Sequence, residues 1–256
     1  MAQAAFALAS RAFERDGFTV LRGHSGADTC ARLRDLATVH HAGSIAPIEY
    51  EADLQYPGAP SSLVDKGGLT PRRLLQAYAR DRIVREWATD VSLGRSIAPL
   101  LGSADVALSQ CHHNCIMTKS PGFSSATRWH QDNRYWSFDR PNLVTAWLAL
   151  GDEDKKNGCL RVIPGSHTES IERGRLDAEL FLRTDQRENK SLVANARTVN
   201  LAAGDVLLFH SRLFHAAGRN LTDTTKYSVV FTYHANDNRP IAGTRSAAFP
   251  SIPLML

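Results

Sequence analysis

No stretch of the 256 residues approaches the roughly 18 consecutive apolar residues that a membrane span needs. The N-terminal MAQAAFALASRAFERDGF lacks a basic start, and Arg11, Glu14 and Arg15 break its short apolar run. It is therefore not read as a secretion signal; Phe6, Leu8 and Phe13 instead suit a helix packed on a domain. Cysteine is scarce: Cys30, Cys111, Cys115 and Cys159 are too few and too irregularly spaced for a disulfide framework, which favours a reducing, cytoplasmic compartment. Blocks of one charge are missing too. The 30 basic and 26 acidic residues are scattered, and a net charge of +4 without a basic arm gives no reason to expect nucleic acid as a partner. No internal repeat is visible.

What is present is ordinary globular material, 43% hydrophobic and 22% charged, enough for one sizeable core. We expect a single domain over 1–256, with a helical part to about 100, a β core over about 101–235 and a tail over 236–256. Residues 3–15 read as a helix, FTVLRG as a strand, and 26–40 as a second helix begun by Ser25 or Asp28. Residues 42–70 are rich in Gly, Pro and Ser and read as a long loop; PRRLLQAYARDRIVREWATD then resumes helical spacing, with Pro71 in its first turn. Beyond residue 105 come short β-type runs, VALSQCHHNCIMTK, LVTAWLAL, CLRVIP, RTVNL, DVLLF and KYSVVFTYH. Strands without intervening helices argue for a mainly β fold with flanking helices, a double-sheet jelly roll of the cupin-like kind.

Within WHQDNRYW, His130 and Asp132 stand two residues apart. On a strand such a pair shares a face at about 6.6 Å, so both side chains can converge on one ion. Alone, His-x-Asp is also met in surface turns and structural hydrogen bonds. A third ligand would come from GDVLLFHSRLFHAAGRN, which offers His210 and His215. Two histidines and one carboxylate leave coordination corners open, an arrangement suited to ferrous iron.

Taken in order, GFTVLRG, KSPG, WHQDNRYW, TAWLAL, NGCLRVIPGSH, AGDVLLFH and LFHAAGRN resemble the phytanoyl-CoA dioxygenase-like group of iron- and 2-oxoglutarate-dependent oxygenases over roughly residues 10–235. The resemblance implies a double-stranded β-helix, Fe(II) on His130, Asp132 and a distal histidine, and oxidation of a small-molecule C–H bond by O2 coupled to decarboxylation of 2-oxoglutarate. It assigns the distal ligand to His215 of HAAGRN and leaves His210 structural. Aspartate at 132 favours hydroxylation or a related oxidation over halogenation. The usual carboxylate-clasping arginine, eleven residues past the distal histidine, is replaced by Lys226, which keeps the charge but not the planar fork. Lys226 and Ser228 share a strand face and resemble an Arg-x-Ser pair; Arg219 is the next candidate anchor. Trp147 aligns with a family tryptophan beside the cosubstrate, and is equally well read as a core aromatic.

Lower in the hierarchy, Asn114 or Gln110 of the run ending in CHHNC is expected to face the cosubstrate. If that run is a strand, Cys111 and Cys115 stand about 13 Å apart, too far to share zinc. Tyr135 and Trp136 are candidate substrate contacts, or core packing. Residues 42–70 are expected to form a lid. Arg72, Arg73, Arg80 and Arg82 read as a solvated helix face that would alternatively meet an acidic group. His167 reads as structural. Two other classes fit the same ligands, namely a zinc or manganese hydrolase or isomerase and a noncatalytic metabolite or metal sensor; a cationic anchor at Lys226 separates the oxygenase from both.

Overall fold

The computed structural model describes residues 2–256, with side chains from Leu8 onward, so Phe6 lies outside the described side chains. The first part runs α1 (Ala2–Asp16), β1 (Phe18–Leu21), α2 (Ala27–Ala42), β2 (Ile48–Tyr50), β3 (Pro71–Leu75), α3 (Ala77–Arg80), α4 (Arg82–Ala88) and α5 (Val91–Leu101). It continues through β4 (Val106–Ser109), β5 (Cys115–Lys119), β6 (Thr127–His130), β7 (Leu143–Ala149), β8 (Leu160–Val162) and α6 (Arg187–Ala194). The remainder is β9 (Arg197–Thr198), β10 (Val206–His210), β11 (His215–Ala217), β12 (Lys226–Ala235) and β13 (Ile252–Pro253). A nine-stranded sheet has the order β1-β10-β7-β12-β5-β3-β2, with β4 and β13 joined beside β12, and faces a four-stranded sheet of order β6-β11-β8-β9. This is the two-sheet jelly roll that the strand pattern predicts.

Alternation along the central strands decides what each face meets. Val144, Ala146 and Leu148 of β7, Val206 and Leu208 of β10, and Val229, Phe231 and Tyr233 of β12 pack outward with Leu33, Leu93 and Ile97 from the helices. The intervening Trp147, Ala149, Leu207, Phe209 and Val230 pack inward with Leu160 and Val162 of the smaller sheet. Because both faces are covered, β7 and β10 read as nearly continuous apolar runs, as does the centre of β12 at Val229–Phe231. The same parity turns Lys226 and Ser228 inward, on the side of Trp147.

Four local expectations are corrected. PRRLL is strand β3, not the first turn of a helix: it has β2 on one side and β5 on the other, and pairing overrides local helical spacing. Residues 42–70 are not all loop, since Ile48–Tyr50 forms β2 and a 3₁₀ turn spans Glu51–Asp53. Residues 106–119 are two strands, since β4 pairs with Thr232–Ala235 and β5 with Lys226–Val230 of β12, and the chain turns between them through His113 at φ +43°. The second helix begins after Gly26, without a side-chain cap from Ser25 or Asp28.

Candidate active site

His130 ends β6 and His215 begins β11, and these residues are direct partners in the antiparallel register. Their ring centroids lie 4.2 Å apart. Asp132 is not on the strand: β6 stops at His130, and Asp132 opens a 3₁₀ turn over Asp132–Tyr135 that swings its carboxylate back. Its Oδ1 lies 3.8 Å from His130 Nε2 and 3.6 Å from His215 Nε2. One ligand atom from each of the three falls within 4.8 Å of the others, and all three residues are buried.

The hydrogen bonds leave the Nε2 atoms free for this task. His130 Nδ1 donates to the Arg128 carbonyl at 2.8 Å, and His215 Nδ1 to the Leu213 carbonyl at 3.0 Å. Such bonds fix the tautomer and aim the other nitrogen at a metal. Thr145, on the inner face of β7, donates to Asp132 Oδ2 at 3.3 Å. Asp132 Oδ1 is fully buried with no hydrogen-bond partner. An unpartnered buried carboxylate oxygen is costly, and a divalent cation between it and two imidazoles removes the cost. The donor set fits ferrous iron. Burial, together with the neighbouring His215, holds His130 well below the usual imidazole range, so it is neutral and able to ligate.

His210 is not part of this group. Its Nδ1 accepts from the Arg212 backbone N–H at 3.0 Å, and its ring faces Phe13 and His167. Burial holds it near 4. His167 packs on that same side, away from the three ligands.

A cavity beside the triad is lined by His130, His215, Trp147, Arg72, Arg73, Lys119 and Lys226, among others. Lys226, Ser228 and Trp147 do converge, and what they converge on is the buried carboxylate of Glu153. Lys226 Nζ lies 3.0 Å from Glu153 Oε2, while Ser228 Oγ and Trp147 Nε1 donate to Oε1 at 2.6 and 3.0 Å. Arg219 is turned elsewhere, bonded to the Ser124 and Gly122 carbonyls. Asn114 is occupied structurally, accepting from the Tyr78 N–H and donating to the Gln110 carbonyl, and it lines a neighbouring cavity rather than this one.

Arg72 and Arg73 are corrected most. Instead of forming a solvated helix face they sit on β3, and Arg72 is only 5% exposed. Arg72 donates to Ser125 and Thr127 and lies 3.5 Å from Glu51; Arg73 lies 3.3 Å from Glu49. Arg80 tethers the 45–47 loop through the Ile45 and Pro47 carbonyls, whereas Arg82 is exposed and pairs with Glu86. His113, which no sequence motif singles out, brings Nε2 to 3.4 Å from Asp132 Oδ1. Its left-handed backbone is uncommon for a residue with a side chain, and such outliers gather at functional sites. Burial holds His113 near 4. Of the aromatic candidates, Trp136 is buried against His112 and His113, and the half-exposed Tyr135 bonds its hydroxyl to Tyr56.

The phytanoyl-CoA dioxygenase (PhyH) family model matches residues 13–228. The chain belongs to the phytanoyl-CoA dioxygenase family. Among its relatives, phytanoyl-CoA dioxygenase 1 of Oryza sativa subsp. japonica is 28% identical over 138 residues, 54% of this chain and 49% of the relative. The chain thus spans about half of that relative's length. Ectoine dioxygenase of Sphingopyxis alaskensis is 26% identical over 247 residues, 89% of this chain and 75% of the relative. The crystal structure of EctD from S. alaskensis with 2-oxoglutarate and 5-hydroxyectoine superposes with a TM-score of 0.75 at 23% identity, covering 92% of this chain and 78% of that one. The epimerase SnoN, solved with Fe3+, alpha ketoglutarate and nogalamycin RO, gives 0.74 at 21% identity, covering 99% and 96%. At these identities the two structures speak for the fold alone. Family membership therefore rests on the family model, and fold and motif order agree with it.

Proposed function

We propose that this chain is an Fe(II)- and 2-oxoglutarate-dependent oxygenase that oxidises a C–H bond of a small-molecule metabolite. The observation that carries the reading is Asp132 Oδ1, buried, without a hydrogen-bond partner and faced by two correctly oriented imidazoles, next to a cavity lined with cationic side chains. His130, Asp132 and His215 would hold the iron. When bound, iron and the keto acid supply the oxidising chemistry with O2. What the protein contributes is position, charge and the exclusion of water: Thr145 orients the Asp132 carboxylate, the backbone carbonyls of Arg128 and Leu213 orient the rings, and Phe209 and Leu160 wall the cavity.

The substrate would enter through a second cavity of about 200 Å³, bounded by Arg73, Gln76, Gln110, His113, Arg245 and Phe249. His113 lines both cavities, so a molecule held there would lie against the metal site. The lining favours a small polar substrate, and nothing in it calls for a coenzyme A thioester. Cytoplasmic residence belongs to the same proposal and is supported by four free cysteines; no described helix is long and apolar enough to cross a membrane. The single-domain reading is supported by the helices packing onto the central sheet through one apolar cluster.

Succinate release and oxygen uptake test the reaction. Purified protein given Fe(II) and 2-oxoglutarate should convert the keto acid slowly to succinate, and Asp132→Ala should not. Equal succinate formation by the two proteins rules the proposal out.

A further inference from the structure

The cosubstrate cavity is lined by four cationic side chains, Arg72, Arg73, Lys119 and Lys226. Three of them already face carboxylates: Arg72 faces Glu51 at 3.5 Å, Arg73 faces Glu49 at 3.3 Å, and Lys226 faces Glu153 at 3.0 Å. Lys119 has no such partner. It is 7% exposed, its Nζ donates to the Ser125 carbonyl at 2.8 Å, and it forms no ion pair among the described residues. Lys119 and Lys226 are also direct partners in the register of β5 and β12. Like charges directly opposite on a sheet repel, and a buried charge without a counter-ion is costly.

We propose that Glu153 is a built-in counter-ion that neutralises Lys226, and that Lys119 supplies the uncompensated charge that receives the distal carboxylate of the keto acid. This rests on the oxygenase reading and changes which residue gives the cosubstrate its affinity. Glu153 holds the Lys226 ammonium, the Ser228 hydroxyl and the Trp147 indole in one buried cluster, so those groups position the end of the cavity instead of grasping the ligand. One ligand carboxylate then balances the cavity. Burial, with Arg72 and Lys226 adding to it, holds Lys119 well below the usual lysine range, and the nearby Glu51 and Glu153, each already facing another cation, offset this only in part. A carboxylate arriving beside it restores the charge.

The test is anaerobic calorimetric binding to the iron-loaded protein of 2-oxoglutarate and of pyruvate, which has the keto acid group but no distal carboxylate. Lys119→Met should weaken 2-oxoglutarate roughly a hundredfold and leave pyruvate within about threefold, a split that a general structural defect does not produce. The double variant Lys226→Met/Glu153→Gln removes the ion pair as a unit, and should keep 2-oxoglutarate affinity within about tenfold of the parent. Thermal denaturation of each metal-free variant checks folding, and Lys119→Met should melt no lower than the parent because it removes an unmatched buried charge. A Lys119→Met protein that binds 2-oxoglutarate as tightly as the parent, or a double variant that loses a hundredfold, overturns the inference and leaves the oxygenase reading intact. A parent that binds iron but no keto acid removes both.

Discussion

Asp132 shows how a residue readable from sequence acquires its position by a route the sequence hides. The His-x-Asp pair suggests two side chains on one strand face, yet the strand ends at His130 and a 3₁₀ turn returns the carboxylate to the imidazoles. The ligand identities survive because they depend on residue type and reach, and the backbone detail does not. Lys226 and Ser228 are legible as a pair on one strand face, with Trp147 beside them only through the family resemblance, but Glu153 is not, because it sits beyond the end of β7 in an isolated bridge to Leu201 and carries no periodic signal. His113 has no signal of its own inside CHHNC, because nothing in the sequence marks it as the residue on which the chain turns. At this scale we expect His130→Ala, Asp132→Ala and His215→Ala each to weaken Fe(II) binding by more than about a hundredfold, beyond the usual effect of losing an outer-sphere partner. His210→Ala should keep most of it. Equilibrium dialysis against ferrous iron decides the matter, and metal loss in His210→Ala with retention in His215→Ala contradicts the ligand set.

Among the elements, the strand signal is clearest where both faces are buried: β7 and β10 are almost wholly apolar, and β12 keeps an apolar centre at Val229–Phe231. The signal is weakest in the N-terminal half. PRRLL has helical spacing in isolation, and only its neighbours β2 and β5 make it a strand, which brings Arg72 and Arg73 to the site. The charge alternation of Glu49 and Glu51 opposite these arginines is the signal that could have revealed it. With Ile48–Tyr50 paired to β3, any lid motion is confined to the loop that follows. Hydrogen exchange should show slow amides in β2, and fast amides over residues 54–69 that slow when substrate binds. Equal rates in the free and bound protein contradict a lid. A second element-level expectation concerns the turn before β8. Gly158 has φ +76°, and a Cβ there would come within 2.5 Å of the Gly218 carbonyl oxygen, in the segment that follows His215. Gly158→Ala should therefore cost about 2 kcal/mol or more in urea denaturation, and a change within about 0.5 kcal/mol means that the two segments separate freely.

For the whole molecule, the buried histidines set how stability responds to acid. Burial pushes His112 down to about 3 and His210 down to about 4, from an ordinary 6.5. A folded value below the unfolded one means that the neutral ring is favoured by folding. The contribution is complete above about pH 6.5 and is lost as pH falls towards 4. Together these two residues should lower the unfolding free energy by about 3 kcal/mol or more between pH 7 and 4.5, and an unchanged urea midpoint over that interval contradicts their burial as neutral rings. The central claim is that the triad and the cationic cavity together seat a metal-chelating keto acid. It is tested most directly by anaerobic titration of the Fe(II)-loaded protein with 2-oxoglutarate, watched for the weak visible charge-transfer band of a chelated keto acid. The account predicts a band that saturates at one equivalent per chain and is absent in Asp132→Ala. Iron that binds without any band appearing on addition of 2-oxoglutarate contradicts it.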